Sequence, residues 1–327
     1  MKPKLMSYFF YLVVLSSLGF SEVKQSNFQH LLNSDYQTIK HDACDAAKDF
    51  QYVFVAGIFN ELMPYYFQDY QNWLVNCNVP QKHIVVARPY SGDGLLRASE
   101  GLKTVFNKLV ETHPNKALII IGHSKGAPEA LLAAFESTIN TQNHIAKIVS
   151  IQGSFGGSPI ADMALHNSTQ SSRLSSNLLL KIARRLAILL RRVETAYGKK
   201  VTAGVSSVKT KESSQFWRTY LNTQYSSAII HGNKIIVLQT YKNYRRLNPF
   251  FFLSGEYLDR ITGERTDGAI PLSAQVPPLE CFSSAILELD HLDTVLPKRF
   301  SFSSPEIRHQ ILSAVILSAE RSQHFGF

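Results

Sequence analysis

Residues 117–130 read ALIIIGHSKGAPEA, and the reading of Gly122-His123-Ser124-Lys125-Gly126 decides the fold. The pentapeptide G-x-S-x-G alone is weak evidence, since it arises by chance in roughly one such chain in ten. Its surroundings decide. Ala117 to Ile121 is a short apolar run rich in β-branched residues, the pattern of a strand buried on both faces. Ala127 to Phe135 is Ala/Leu-rich without a breaker and reads as a helix; Pro128 falls in its first turn, where a missing N–H costs nothing. Strand, sharp turn and helix leave no room for side chains at Gly122 and Gly126. They force Ser124 into a strained conformation that lifts its hydroxyl above the sheet.

Outward from this turn, apolar strands alternate with helices. Strands are expected at 52–57, 83–87, 146–151, 234–238 and 285–289, with helices at 63–75, 95–112, 127–138 and 305–321. The segment 28–50 reads as helical and mostly surface. The pattern is that of an α/β domain: a mostly parallel sheet of about six strands with helices on both faces.

The interval from about 158 to 232 breaks the rhythm and is too long for a structureless loop, so an inserted helical lid is expected there. At its centre, LLLKIARRLAILLRRV (178–193) has helical spacing. Lys181, Arg184, Arg185, Arg191 and Arg192 share an arc roughly 120° wide, and the rest is nearly all apolar except for Ile188 inside the arc. Such a helix covers a hydrophobic cleft, lies on a membrane surface, or packs with its basic stripe in solvent.

The formal net charge of the 327-residue chain is +9, and residues 173–218 hold eleven of its 34 Lys and Arg with only Glu194 and Glu212 against them. In an exported protein that points to anionic lipid surfaces before nucleic acid, and no nucleic-acid partner is expected. Export follows from the amino end, MKPKLMSYFFYLVVLSSLGFSE: two lysines, an apolar run and small residues make 1–21 a signal peptide, with the domain at 22–327. A secreted or periplasmic location is expected; an uncleaved anchor is the alternative. Three cysteines are too few for a disulfide framework, although export permits one bridge, Cys44–Cys77, tying the segment before the first strand to the helix after it. Free thiols are the alternative. No Cys/His spacing suggests a metal, and Asn167-Ser168-Thr169 is a glycosylation sequon.

A serine hydroxyl attacks only when a base takes its proton, and that base needs an orienting carboxylate. Past the fifth strand comes Arg265-Thr266-Asp267-Gly268, and past the sixth Asp290-His291-Leu292-Asp293, both at the sheet edge where open α/β sheets place their sites. Ser124, Asp267 and His291 are the candidates, with Asp293 and Glu288 as reserve acids. Asp290 is set aside because adjacent residues rarely bring their side chains together. His123 adjoins the serine and is expected to point away from it. An oxyanion needs two backbone donors: Lys125, whose side chain is expected in solvent, and Ile58 or Phe59 after Gly57.

The stretches VFVAGIFNEL, IIIGHSKGA, GGSPIAD, TDGAIP and DHLDTV, in this order, resemble an α/β hydrolase of the lipase/esterase type over residues 50–320, most of the lid excluded. That resemblance implies Ser124, Asp267 and His291 as a catalytic triad, Ile58 and Lys125 as oxyanion donors, and a lid opening at Gly157-Ser158-Pro159. Ala56 departs from it, standing where many lipases carry His, as does Ala127 at a common second glycine. The expected function is exported hydrolysis of carboxylic esters, lipids above all, with no cofactor and with Arg184, Arg185, Arg191 and Arg192 meeting an anionic surface. Acyl transfer or thioester hydrolysis by the same triad, and a non-catalytic lipid binder on the same fold, are the rivals.

Overall fold

Strand β1 (Phe50–Val55) is buried along its whole length, and its side chains divide between two cores. Tyr52 and Phe54 enter one hydrophobic layer and Val53 and Val55 the other, as the two-residue repeat of a strand requires. The computed structural model describes residues 27–165, 176–223, 234–280 and 282–324. In it, five strands join the first: β2 (Ile84–Ala87), β3 (Ala117–His123), β4 (Ile145–Ile151), β5 (Ile235–Tyr241) and β6 (Ser283–Glu288). All pairings are parallel, in the order β2-β1-β3-β4-β5-β6. This is the expected α/β sheet of six strands.

Helices α1 (Asn27–Asn33), α2 (Tyr36–Ala46) and α3 (Gln68–Asn76) cover one face together with the carboxy-terminal α12 (Pro305–His324). The other face is covered by α4 (Leu95–Thr112) and α5 (Gly126–Glu136), with the short α6 (Ile139–His144) leading into β4. The amino-terminal segment is mostly surface, as expected, and buries a stripe of Phe28, Leu31 and Leu32, spaced three and four apart, in the α12 layer. One expectation needs correction here. The helix expected from Met63 begins only at Gln68. Pro64 disfavours helix at the residue before it, and Phe67 takes a left-handed conformation at φ 60°. Cys44 on α2 and Cys77 after α3 form a disulfide with Cα atoms 5.0 Å apart, so of the two alternatives it is the bridge across β1 that is present.

Within the long interval lie α7 (Pro159–Leu165), α8 (Ser176–Tyr197), α9 (Thr202–Ser207) and α10 (Thr210–Thr223). Trp217 of α10 is fully buried in the α4–α5 layer, so this end of the interval belongs to the main core. By contrast, α8 joins small satellite clusters: Leu178 and Ile182 pack with Leu253 and Tyr257 of α11 (Phe252–Thr262), and Val193 packs with Val201 and Val205. The expected signal peptide, Asn167, Cys281 and two stretches of the expected lid, 166–175 and 224–232, lie outside the described residues.

Candidate active site

Ser124 follows β3 at φ 54°, a left-handed conformation that L-residues other than Gly, Asn and Asp rarely adopt. Its N–H donates to the Ile151 carbonyl at 3.0 Å, and its own carbonyl accepts from Ala127 at 3.1 Å, which fixes the turn from both sides. Close packing explains the flanking glycine: a Cβ on Gly122 would stand 2.6 Å from the Ala127 Cα. The loop after β1 comes equally near, since a Cβ on Gly57 would lie 2.9 Å from the Ser124 Cβ.

His291 and Asp267 meet beside this turn. The His291 Nδ1 stands 2.7 Å from Asp267 Oδ2, and the His291 main-chain N–H donates to the Asp267 carbonyl at 3.0 Å. The second carboxylate oxygen, Oδ1, accepts the N–H groups of Ala269 at 2.9 Å and Ile270 at 2.8 Å. Asp267 is thus wholly buried, fully bonded and unable to swing away from the imidazole. Neither reserve acid is available. Asp293 is paired with Lys242 at 2.8 Å, and Glu288 faces solvent towards Arg246. Asp290 caps the turn through Leu292 and Asp293, so its carboxylate serves the loop.

Ser124, Lys125, Ile58 and His291 line one cavity, whose remaining wall is largely apolar and includes Leu186, Leu189 and Leu190 of α8. Two main-chain donors there, the N–H groups of Ile58 and Lys125, have no acceptor among the described residues. Of the two candidates Ile58 and Phe59, the Phe59 N–H already donates to Ser91 Oγ at 2.6 Å. Of the four arginines, Arg184, Arg191 and Arg192 are exposed; Arg185 reaches the cavity rim and donates to the Pro249 carbonyl at 3.3 Å. No group of three or more His, Cys, Asp or Glu among the described residues is placed to hold a metal.

One expectation about the turn fails. The Lys125 side chain is not in solvent: it is buried and ion-paired with the equally buried Glu129, one helical turn on. Burial pushes the Glu129 carboxyl up to about 7, against the pull of the ammonium. The spacing of four between Lys125 and Glu129 was visible in the sequence; its burial followed only from the sheet around it.

His123 does more than point away. Its Nε2 stands 2.9 Å from both Gln152 Oε1 and the His291 carbonyl, two acceptors, so the ring proton sits on that nitrogen. Its Nδ1 accepts from the Tyr66 hydroxyl at 2.7 Å, and that hydroxyl accepts the Gly57 N–H at 3.1 Å. Burial, reinforced by the charge of a protonated His291, drives the His123 pKa well below the ordinary range and keeps the ring neutral. Gln152, at φ 52°, extends the chain by donating to the Asp290 carbonyl at 3.0 Å and accepting from Thr294 at 2.7 Å. Sequence reasoning missed Tyr66, Gln152 and Thr294, because nothing local marks three scattered polar residues as one buried network.

A family model described as Lipase (class 3) matches residues 56–181, which span the loop after β1, the Ser124 turn and the start of α8. Two solved structures share the fold. A metagenomic carboxyl esterase, MGS0156, is 18% identical with a TM-score of 0.55, over 84% of this chain and 75% of that one. The mature lipase BlEst2 of Bacillus licheniformis is 16% identical with a TM-score of 0.51, over 75% of this chain and 85% of that one. The chain has the α/β-hydrolase fold, and its residues 56–181 are similar to class 3 lipases. No curated protein matches it. The candidate residues stand at the carboxyl ends of the strands: Ser124 after β3, Asp267 beyond β5 and His291 beyond β6.

Proposed function

We propose that the protein is an exported serine hydrolase that cleaves carboxylic esters of lipids through an acyl-enzyme. The observation that carries the reading is His291, paired with Asp267 at 2.7 Å and lining one apolar cavity with a serine held at φ 54°. Ser124 Oγ attacks the acyl carbonyl as His291 Nε2 takes its proton. Asp267 holds the imidazole with Nδ1–H towards the carboxylate and stabilises the imidazolium that forms. The negative charge that develops on the carbonyl oxygen meets the N–H groups of Ile58 and Lys125, which need no reorganisation because they have no other acceptor. His291 then returns the proton to the alkoxide, and the alcohol leaves. Water, deprotonated by His291, attacks the acyl-enzyme and frees the carboxylic acid.

Lipids are the proposed substrate class because the walls facing Ser124 are aliphatic and aromatic, with α8 laid across them. The basic outer side of α8, with Arg184, Arg191 and Arg192, is proposed to meet anionic headgroups and Arg185 to guard the rim. Export is supported by the leader and by the Cys44–Cys77 bridge, which persists in an oxidising compartment.

The experiment is hydrolysis, by the purified chain, of esters of graded acyl length and of dispersed glycerides and phospholipids, with and without a competing alcohol. Turnover that rises with chain length and stops after fluorophosphonate labelling supports the reading. Product in the form of a new ester assigns acyl transfer instead, and absence of both labelling and turnover contradicts the triad.

A further inference from the structure

Two neighbouring loops, one of which lines the cavity, expose aromatic rings among cations. In the loop between β5 and α11, Phe250 and the first helical residue Phe252 are 42% and 38% exposed, close to Arg245 and Arg246. In the loop before α12, Phe300 and Phe302 are 44% and 64% exposed, beside Lys298 and Arg299. Neither 242–252 nor 297–304 contains an acidic residue. The loops are neighbours: Asn248 Nδ2 donates to the Phe300 carbonyl at 3.2 Å. Cations and rings occupy one layer, with the Arg299 guanidinium 3.5 Å from the Tyr65 ring centre and 4.9 Å from that of Phe300. Tyr65 and Phe300 stack with centroids 5.6 Å apart.

Grouped exposed rings cost hydration unless something covers them. A second copy of this chain is a poor cover, because two such collars would face cation to cation. A surface with negative charge outside and apolar matter beneath suits both sets of groups at once: rings pass to the acyl boundary while guanidinium and ammonium groups meet phosphates. The collar is also continuous with the cavity. Phe250 and Phe251 line it, and Arg185 of α8 bonds to the Pro249 carbonyl in the same loop.

We infer that the loops 242–252 and 297–304 form a docking surface for anionic lipid bilayers, separate from α8, which seats the cavity mouth on the membrane. The inference rests on the proposed action on lipids, since it names how such a substrate is reached. Each Phe inserts without a covalent step, and each cation adds a salt-screened attraction.

The test uses the full chain carrying Ser124→Ala, which cannot consume the vesicles, in flotation with vesicles of phosphatidylcholine alone or mixed with phosphatidylglycerol. The expected result is binding to the mixed vesicles in preference to phosphatidylcholine, weakened by salt. Combined Phe252→Ser, Phe300→Ser and Phe302→Ser should lower that binding roughly tenfold or more, because each removes an inserted ring. Arg245→Glu with Lys298→Glu should erase the preference for phosphatidylglycerol. With Ser124 restored, the triple Phe variant should hydrolyse a short water-soluble ester like the parent, which shows that it folds. Unchanged vesicle binding in the triple variant overturns the inference. So does equal binding to both vesicles by the parent, or a solution dimer that the Phe substitutions dissolve. If vesicle binding depends on the Phe residues while no ester is hydrolysed, the docking surface stands and the ester-hydrolase reading fails.

Discussion

The imidazole of His123 holds the main chain of His291: Nε2–H donates to the His291 carbonyl at 2.9 Å, while Nδ1 accepts from Tyr66. Because the Tyr66 hydroxyl also accepts the Gly57 N–H, one chain of hydrogen bonds joins the loop of Ile58, the proposed oxyanion donor, to the loop of the proposed base. Tyr66→Phe should therefore disturb the alignment of both. The expected loss is on the order of tenfold to a hundredfold in kcat with KM little changed, since small misplacements of reacting groups are costly. Steady-state kinetics on a soluble ester decide this; an unchanged kcat would reduce the network to scaffolding.

The same ring makes stability depend on pH. His123 is neutral when folded and titrates near 6.5 when unfolded, so below 6.5 the unfolded chain binds the extra proton. The stability it contributes is fully present above 6.5 and is lost as pH falls towards its depressed folded value. His83 and His309, also lowered by burial, act in the same sense. His123→Gln should lower Tm at neutral pH, by losing hydrogen bonds, yet flatten the fall of Tm on acidification. Thermal melts of both proteins across pH test it, and parallel curves would exclude His123 as a contributor.

Gly57 has no room for a methyl group, which would lie 2.8 Å from the Tyr66 hydroxyl oxygen and 2.9 Å from the Ser124 Cβ. Gly57→Ala should move the Ile58 N–H away from the developing charge. A loss of roughly a hundredfold in kcat is expected, as for removal of one oxyanion donor. Retained fluorophosphonate labelling at a reduced rate would show that the nucleophile itself survives; wild-type turnover would remove Ile58 from the proposal.

The sheet was legible because its strands centre on apolar, mostly β-branched residues, and the Ser124 turn because Gly, strand and helix agree there. Helix starts were less legible: Pro64 and the left-handed Phe67 displaced α3, and left-handed phenylalanine has no local signature. The Lys125–Glu129 pair was misjudged for a different reason. A lysine after the nucleophile looks solvent-facing until the folded chain buries it beside Glu129, which is a tertiary fact. The choice between Ile58 and Phe59 likewise depended on Ser91, more than thirty residues away, as its hydrogen bond shows.

The outer side of α8 yields a prediction for the proposed lid. Reversing Arg184, Arg191 and Arg192 to Glu should weaken binding to anionic vesicles, each residue contributing on the order of 1 kcal/mol at low salt. Hydrolysis of a short soluble ester should change little, because none of the three lines the cavity. Co-sedimentation at two salt concentrations, paired with both assays, is the check. Equal loss on soluble and dispersed substrates would mean that the reversal disturbs the fold.

The central claim is that Ser124, His291 and Asp267 act as one catalytic unit. Its most direct measurement is kcat for a soluble ester in the series Ser124→Ala, His291→Ala, their double variant and Asp267→Asn, with fluorophosphonate labelling in parallel. Each of the first two should lose roughly 10⁴-fold or more, and the double variant should lose little beyond either, since a unit fails as a unit. Asp267→Asn should cost less, yet still orders of magnitude. Labelling should vanish only where Ser124 is replaced and slow where His291 is. Near-wild-type turnover in Asp267→Asn, or losses in the double variant that multiply, would contradict the account.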